Sequence, residues 1–142
     1  MFCKVYPWAG EFRKDTGMLA KNRSGFVVAY GPSQNIPGAL ASTFAALKAE
    51  NDLRGLDAAA VAKRLAYFYG ELDAIHAFRD GNSRTLRAFT TDLAEAAGHR
   101  LDWARLAQTE KDRQRLYHAR DLAVMHGDLS ELAAIIRSTQ GG

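Results

Sequence analysis

The chain is poor in cysteine and proline and has no long apolar run. A single cysteine, Cys3, among 142 residues excludes an internal disulfide, so the fold must be held together by an apolar core. No apolar run approaches the roughly 18 residues of a membrane-spanning helix, and no secretory signal pattern opens the chain. These absences predict a cytoplasmic protein without a membrane anchor.

A strong charge of one sign is also absent. The 19 basic and 16 acidic residues leave a net charge of +3, and the two signs are interspersed along the chain. Nucleic acids and anionic membranes are usually bound by concentrated basic surfaces, so neither partner is predicted. The length and a hydrophobic content of 47% fit one globular domain that spans residues 1–142.

Apolar spacing predicts a mainly α fold. The first forty residues are rich in Gly, Pro, Asn and Ser, and a first helix is predicted from about Pro37 to Glu50. Asp57 is the predicted N-cap of a second helix that brings His76 to its C-terminal end. The apolar face of this second helix recurs at steps of four and three residues: Val61, Leu65, Phe68, Leu72 and Ile75.

Four further helices are predicted after His76. One runs from about Asn82 to a C-cap at Gly98, one follows Asp102, one ends at His126-Gly127, and Asp128 caps the last. Their inward-facing residues are predicted to be Leu86, Phe89, Thr90 and Leu93; Trp103 and Leu106; Leu116, Tyr117, Leu122, Ala123 and Met125; and Leu132, Ile135 and Ile136.

The most informative stretch is HAFRDGNSRTLR, which runs from His76 to Arg87 between two predicted helices. The helix that follows carries Arg84 and Arg87 in its first turns, where the partial positive charge of a helix N-terminus favours acidic residues. Two like charges on one face also repel each other unless an anion lies between them. The arrangement therefore predicts a phosphate-binding helix start.

The neighbouring residues extend this prediction to chemistry. The N–H groups of Asn82, Ser83 and Arg84 would point at the same anion. Asp80 could hold Mg²⁺, which is commonly bound by one or two carboxylates together with substrate phosphates. His76 would supply a base. Each residue alone has an ordinary structural explanation, such as a turn or a solvated helix face, and the ordered combination is what indicates a site.

The stretch resembles the signature of the Fic (filamentation induced by cAMP) family: His, any residue, Phe, any residue, Asp or Glu, Gly, Asn, Gly, Arg, two of any kind, Arg. Ser83 is the single departure, because the family usually has Gly there. The segment VYPWAGEFR, residues 5–13, is similar to the one that precedes the active site in this family. The resemblance covers roughly Val5 to Ile136 and implies one Fic domain that lacks the N-terminal helix of the family.

The resemblance implies a Fic fold, a helical bundle with a short N-terminal β-hairpin flap. It also implies an enzyme that transfers AMP from ATP to a Ser, Thr or Tyr hydroxyl of a target protein. His76 then matches the general base, Asp80 the Mg²⁺ ligand and Phe78 a buried anchor. The residues that match the phosphate-binding positions are Gly81, Asn82, Ser83, Arg84 and Arg87.

The flap and the regulation are also implied by the resemblance. A flap within residues 18–37 would bind the target by strand addition, through Lys21, Asn22, Gly25, Phe26 and Val27. Many relatives carry an inhibitory helix with Ser or Thr, three residues, Glu, and Gly or Asn, and the sequence contains no such order. A small separate antitoxin that pairs a Glu with Arg87 is therefore one expectation, and an oligomer that covers exposed core surface is another.

Two alternatives stay open at the level of sequence. A Fic relative can transfer UMP, phosphate or phosphocholine, and a catalytically silent binding module would keep the fold alone. Gly81 and the small Ser83 favour nucleotidyl transfer over the kinase-like reaction of the Doc variant, which has Ala and Lys at these positions. The cytoplasmic location is compatible with delivery into another cell by a secretion machine.

Overall fold

A computed structural model describes residues 11–14, 20–23, 26–30, 32–78, 81–106 and 108–140. The described residues form five α-helices: α1 Ile36–Ala49, α2 Ala58–Ile75, α3 Asn82–Ala96, α4 Glu110–His126 and α5 Ser130–Thr139. Short 3-10 helices cover Ser33–Asn35, Asn51–Leu53 and Trp103–Leu106. The mainly α fold predicted from the sequence is confirmed.

Two short strands precede the helices. Strand β1, Ala20–Arg23, pairs in antiparallel fashion with β2, Phe26–Ala29, so that Ala20 lies opposite Ala29. Residues 24 and 25, between the two strands, lie outside the described part of the chain. The hairpin flap therefore stays a prediction. So do the target-binding roles of its residues, Lys21, Asn22, Gly25, Phe26 and Val27.

Helix α2 is the centre of the domain and packs against α1, α3, α4 and α5. The side chain of Asp57 caps it by accepting a hydrogen bond of 2.8 Å from the Ala60 N–H, as the sequence predicts. Its predicted apolar residues Val61, Leu65, Phe68 and Leu72 are buried, and so are Ala62, Ala66 and Tyr69. A helix buried on several sides can hold the residue at its C-terminal end, His76, inside the protein.

The predicted inner face of α4 is partly wrong. Leu116 and Ala123 are buried, but Met125 is 37% exposed. The inner face instead carries Arg120 and Asp121, which are 2% and 0% exposed. Burying a charge is costly unless it is paired, and Arg120 is paired with Asp73 of α2 at 3.1 Å. An apolar pattern cannot reveal a charge that is buried together with its partner.

The other predicted helix ends are close to the observed ones. Gly98, with φ of 88°, follows the C-terminal end of α3, and the side chain of Asp128 accepts a hydrogen bond from the Ser130 N–H at the start of α5. The helix predicted after Asp102 is only a four-residue 3-10 turn. Among the described residues, none of the helices has both the length and the apolar character needed to span a bilayer.

Candidate active site

His76 ends α2 in an unusual backbone conformation. Its φ and ψ of 49° and 60° lie in the left-handed region, and its N–H donates to the Leu72 carbonyl at 3.1 Å. Glycine is the common residue at such a helix end, because a side chain there adds strain. A glycine would form the same turn with less strain than the histidine found here.

Arg13 ties down the backbone around His76. Its Nε donates to the His76 carbonyl at 2.6 Å, its Nη2 to the Ile75 carbonyl at 3.0 Å, and its own N–H to the Ala77 carbonyl at 3.0 Å. A cation at the C-terminal end of a helix is favourable because the carbonyls there carry partial negative charge. Arg13 is the last residue of the VYPWAGEFR segment. The described end of that motif therefore holds the backbone of the candidate base, His76, by hydrogen bonds. Residues 5–10 of the motif lie outside the described part.

The ring of Tyr30 stacks on the imidazole of His76. The ring centroids are 3.8 Å apart, the planes are inclined by 21°, and the two residues are 0% and 3% exposed. Tyr30 directly follows β2, so this contact links the strand pair to the end of α2. No local sequence signal marks Tyr30, because only the tertiary fold brings the two rings together.

Asn82 closes the turn between His76 and α3. Its Oδ1 accepts a hydrogen bond of 2.9 Å from the Phe78 N–H, and its Nδ2 donates to the Phe78 carbonyl at 2.6 Å. Gly81, directly before Asn82 in this turn, has a φ of 77°, which a glycine adopts without strain. The Asn82 side chain therefore shapes the loop. The predicted Mg²⁺ ligand Asp80, with its neighbour Arg79, lies outside the described residues.

The start of α3 has the features of an anion site. The first helical hydrogen bond runs from the Thr85 N–H to the Gly81 carbonyl at 3.0 Å, so the preceding N–H groups have no acceptor within the helix. No acidic residue lies in the first turn. Arg84 is exposed and Arg87 half-buried. The predicted residues Gly81, Asn82, Ser83, Arg84 and Arg87 thus lie in one continuous segment that begins five residues after His76.

Ser83, the departure from the Fic signature, is held by a residue that the sequence analysis missed. Its Oγ accepts a hydrogen bond of 3.0 Å from Nη1 of Arg120. The same guanidinium binds both carboxylate oxygens of Asp73, through Nε at 3.2 Å and Nη2 at 3.1 Å. A buried ion pair between α2 and α4 therefore also contacts the first turn of α3.

The ionisation of this cluster follows from both burial and the charges of its neighbours. Burial raises the pKa of the Tyr69 phenol to about 12, although the nearby Arg120 guanidinium acts in the opposite direction. Burial by itself would lower the pKa of Arg120, but Tyr69 and the Asp73 carboxylate raise it above its ordinary value. Arg120 is therefore a permanent cation, and Asp73 is the carboxylate that balances it.

An apolar groove lies beside the start of α3. Its volume is about 330 Å³, and it is lined by residues of α1, α3 and the turn between α2 and α3, among them Leu40, Phe44, Phe78 and Phe89. Phe44 is 43% exposed and meets Phe89 edge to face, with ring centroids 5.8 Å apart. The start of α3 is thus bordered by an apolar surface.

The buried His76 at the end of α2, the turn closed by Asn82 and the two arginines of α3 follow one another in the order of the Fic signature. The sequence model of the Fic/DOC family matches residues 1–94, and the chain belongs to this family. The resemblance stated from the sequence is confirmed.

Curated relatives carry the corresponding names. The chain is 36% identical over 142 residues to the protein adenylyltransferase VbhT of Bartonella schoenbuchensis, a match that covers 96% of this chain and 26% of VbhT. It is 33% identical over 144 residues to the probable protein adenylyltransferase y4lH of Sinorhizobium fredii, covering 96% of this chain and 65% of that protein. The chain thus spans about a quarter of the length of VbhT and just under two thirds of y4lH.

Solved structures agree with the fold. BepC of Bartonella tribocorum, a VirB-translocated effector with bound AMPPNP, is 25% identical with a TM-score of 0.82, over 99% of this chain and 69% of that chain. The N-terminal Fic domain of a VirB-translocated cell filamentation protein of Bartonella quintana, with bound ADP, is 27% identical with a TM-score of 0.83, over 99% and 67% of the two chains. The described helices therefore form a Fic fold.

Proposed function

We propose that this chain is a protein adenylyltransferase that transfers AMP from ATP to a hydroxyl group of a target protein. The observation that carries the proposal is the continuous segment from the buried His76, through the turn closed by Asn82, to the arginines of α3. The names of the relatives and the nucleotides bound in the similar structures support it.

The reaction is an in-line displacement at the α-phosphorus. The target hydroxyl oxygen forms a bond to that phosphorus, the bond to the oxygen that bridges to the β-phosphate breaks, and pyrophosphate leaves. Arg84 and Arg87 bind the β- and γ-phosphates and stabilise the charge that develops on pyrophosphate. Gly81, Asn82 and Ser83 bring the backbone N–H groups of the helix start to the phosphate chain.

His76 is the general base that takes the proton from the attacking hydroxyl. A neutral imidazole accepts a proton readily near neutral pH, and a positioned general base typically contributes ~10²- to 10⁴-fold to a rate. The stacked ring of Tyr30 and the backbone bonds from Arg13 restrict the position of His76. The residues next to His76 therefore hold the base in a fixed orientation before a substrate arrives.

Asp80 is the residue proposed to hold Mg²⁺. One carboxylate is a sufficient protein ligand when phosphate oxygens complete the coordination, so a single aspartate beside the phosphate chain is chemically enough. The ion would neutralise phosphate charge and orient the triphosphate. The chain itself contributes the arginines and the helix start that receive the complex.

The target and the regulation are proposed as the sequence resemblance implies. The strand pair β1 and β2 would align an extended target segment with an exposed Ser, Thr or Tyr hydroxyl by strand addition. A small antitoxin would direct a Glu at Arg87, in competition with ATP. The chain would act in the cytoplasm of its own cell or of a cell into which it is delivered. A titration of ATP into the chain with and without such a partner tests the competition.

Labelling of a cell lysate tests the proposed function. The purified chain is incubated with lysate and Mg²⁺ together with ATP labelled at the α- or the γ-phosphate, or with labelled UTP or CDP-choline. Lysate incubated without the chain gives the background from endogenous kinases and other enzymes. Above that background, we expect protein-bound label from α-labelled ATP only, a mass gain of one AMP on a hydroxyl side chain, and no such label when EDTA removes Mg²⁺.

The other outcomes separate the alternatives. Label from the γ-phosphate would indicate kinase-like transfer, and label from UTP or CDP-choline would indicate transfer of UMP or phosphocholine. ATP binding without transfer from any donor would indicate a silent binding module. Each of these results would contradict adenylyl transfer.

A further inference from the structure

We propose that Arg120 is a positioning residue for the triphosphate site: together with Asp73 it holds the first turn of α3 in place through the hydroxyl of Ser83. The inference rests on the proposed function, because Asp73 and Arg120 would support the same triphosphate site at the start of α3. It also explains what Ser83 contributes at the position where the Fic signature usually has Gly.

The contacts form one connected cluster. Arg120 of α4 binds Asp73 of α2 through two nitrogens, at 3.2 and 3.1 Å, and its third nitrogen donates to Ser83 Oγ at 3.0 Å. The guanidinium carbon also lies 5.6 Å from the centroid of the Tyr69 ring. The planar guanidinium group of Arg120 contacts Asp73, Ser83 and Tyr69, so it has little freedom to move. It can therefore fix the position of the Ser83 hydroxyl.

Arg120 cannot act by touching the nucleotide. Its side chain is 2% exposed and that of Asp73 is 0% exposed, whereas Arg84 on the same helix start as Ser83 is exposed. The Asp73 carboxylate also balances the charge of Arg120, so the pair adds little net attraction for phosphate. The effect of Arg120 on nucleotide binding must therefore pass through the geometry of the helix start.

Ser83 is well placed to transmit this effect. It is the second residue of α3, and its N–H is one of the groups that lack an acceptor inside the helix. A glycine at this position has no side chain to accept the hydrogen bond from Arg120. In this chain the orientation of the phosphate-binding N–H groups is thus set by a contact from α4 that the Fic signature does not encode.

Two serine variants test the contact. We expect Ser83→Ala to weaken ATP binding about tenfold, equivalent to ~1.4 kcal/mol, because a hydrogen bond to a charged group is lost and the helix start must be ordered by the ligand. The same variant should raise KM for ATP and leave kcat within about twofold at saturating ATP, since His76 is not moved. Ser83→Thr keeps the hydroxyl and should bind ATP with wild-type affinity.

A double-mutant cycle tests the role of Arg120. The paired replacement Asp73→Leu with Arg120→Met removes the ion pair without leaving a buried charge alone, a change that proteins often tolerate. We expect this pair to weaken ATP binding as Ser83→Ala does, and the addition of Ser83→Ala to cause no further loss. Calorimetric ATP titrations give the affinities, and thermal melting confirms that each variant is folded.

The control is Thr91→Ala on the same helix, which removes a hydroxyl bonded to the Arg87 carbonyl at 2.7 Å, away from Arg120. It should leave ATP affinity unchanged. Wild-type affinity in Ser83→Ala, a loss in Ser83→Ala that Ser83→Thr does not restore, or additive losses in the cycle, would overturn the inference while leaving the proposed function intact. A wild-type chain that binds no ATP would overturn both.

Discussion

Substitution of His76 by alanine should abolish AMP transfer while ATP binding is kept. The imidazole is the proposed acceptor of the hydroxyl proton, and loss of a general base typically lowers a rate by ~10²- to 10⁴-fold. The phosphate chain is bound elsewhere, by the start of α3, so the affinity for ATP should change little. Initial rates of label transfer from α-labelled ATP and calorimetric titration of ATP measure the two properties separately.

A second variant controls for the strained backbone at this position. His76 has a φ of 49°, and alanine is disfavoured in that region, so His76→Ala adds a cost to folding. Asparagine adopts the left-handed region more readily but cannot serve as a general base. His76→Asn should therefore be as inactive as His76→Ala and more stable. Transfer within about tenfold of wild type in either folded variant would contradict the role given to His76.

Substitution of Asp73 by alanine should destabilise the protein strongly. The change leaves the Arg120 guanidinium buried at 2% exposure without its carboxylate, a defect that typically costs ~3–5 kcal/mol. This is a large fraction of the ~5–15 kcal/mol by which domains are usually stable. Urea unfolding should show a lower midpoint, and a thermal melt should show a decrease in Tm of ~10 °C.

The matched control is an exposed ion pair between α4 and α5. Arg115 and Glu131 are 2.7 Å apart, with side chains 49% and 39% exposed. Exposed pairs contribute ~0–1 kcal/mol, so Glu131→Ala should shift the urea midpoint only slightly. If Asp73→Ala lowered the urea midpoint no more than Glu131→Ala does, the buried pair of Asp73 and Arg120 would not contribute to stability as expected.

Much of the fold follows from local sequence. Asp57 supplies a side chain that caps α2, and the apolar steps from Val61 to Leu72 define the face that is buried. Helical periodicity on both sides also placed the segment from His76 to Arg87 at the end of one helix and the start of the next. Caps, turns and helical periodicity depend on residues that are close in sequence, so a single sequence is enough to locate them.

The parts that could not be predicted depend on distant residues. Asp73 and Arg120 are 47 positions apart, and each interrupts an apolar pattern in a way that also fits a solvated residue. Tyr30 reaches His76 only because β2 ends beside the C-terminal end of α2. Arg13 belongs to a recognisable motif, but its bonds to the His76 and Ile75 carbonyls are long-range contacts. Only the folded chain brings these partners together.

In the proposed mechanism the start of α3 binds a triphosphate through Arg84 and Arg87. Calorimetric titration of ATP, ADP and AMP into the wild-type chain and into the Arg84→Ala, Arg87→Ala double variant tests this binding. The control is Arg100→Ala, at an exposed arginine beyond the C-terminal end of α3. We expect wild-type affinity to fall from ATP to ADP to AMP. The double variant should lose ~10²- to 10⁴-fold in ATP affinity, because each charge-assisted bond contributes ~1.5–3 kcal/mol, and should bind the three nucleotides about equally. Undiminished ATP affinity in the double variant would show that Arg84 and Arg87 do not bind the triphosphate.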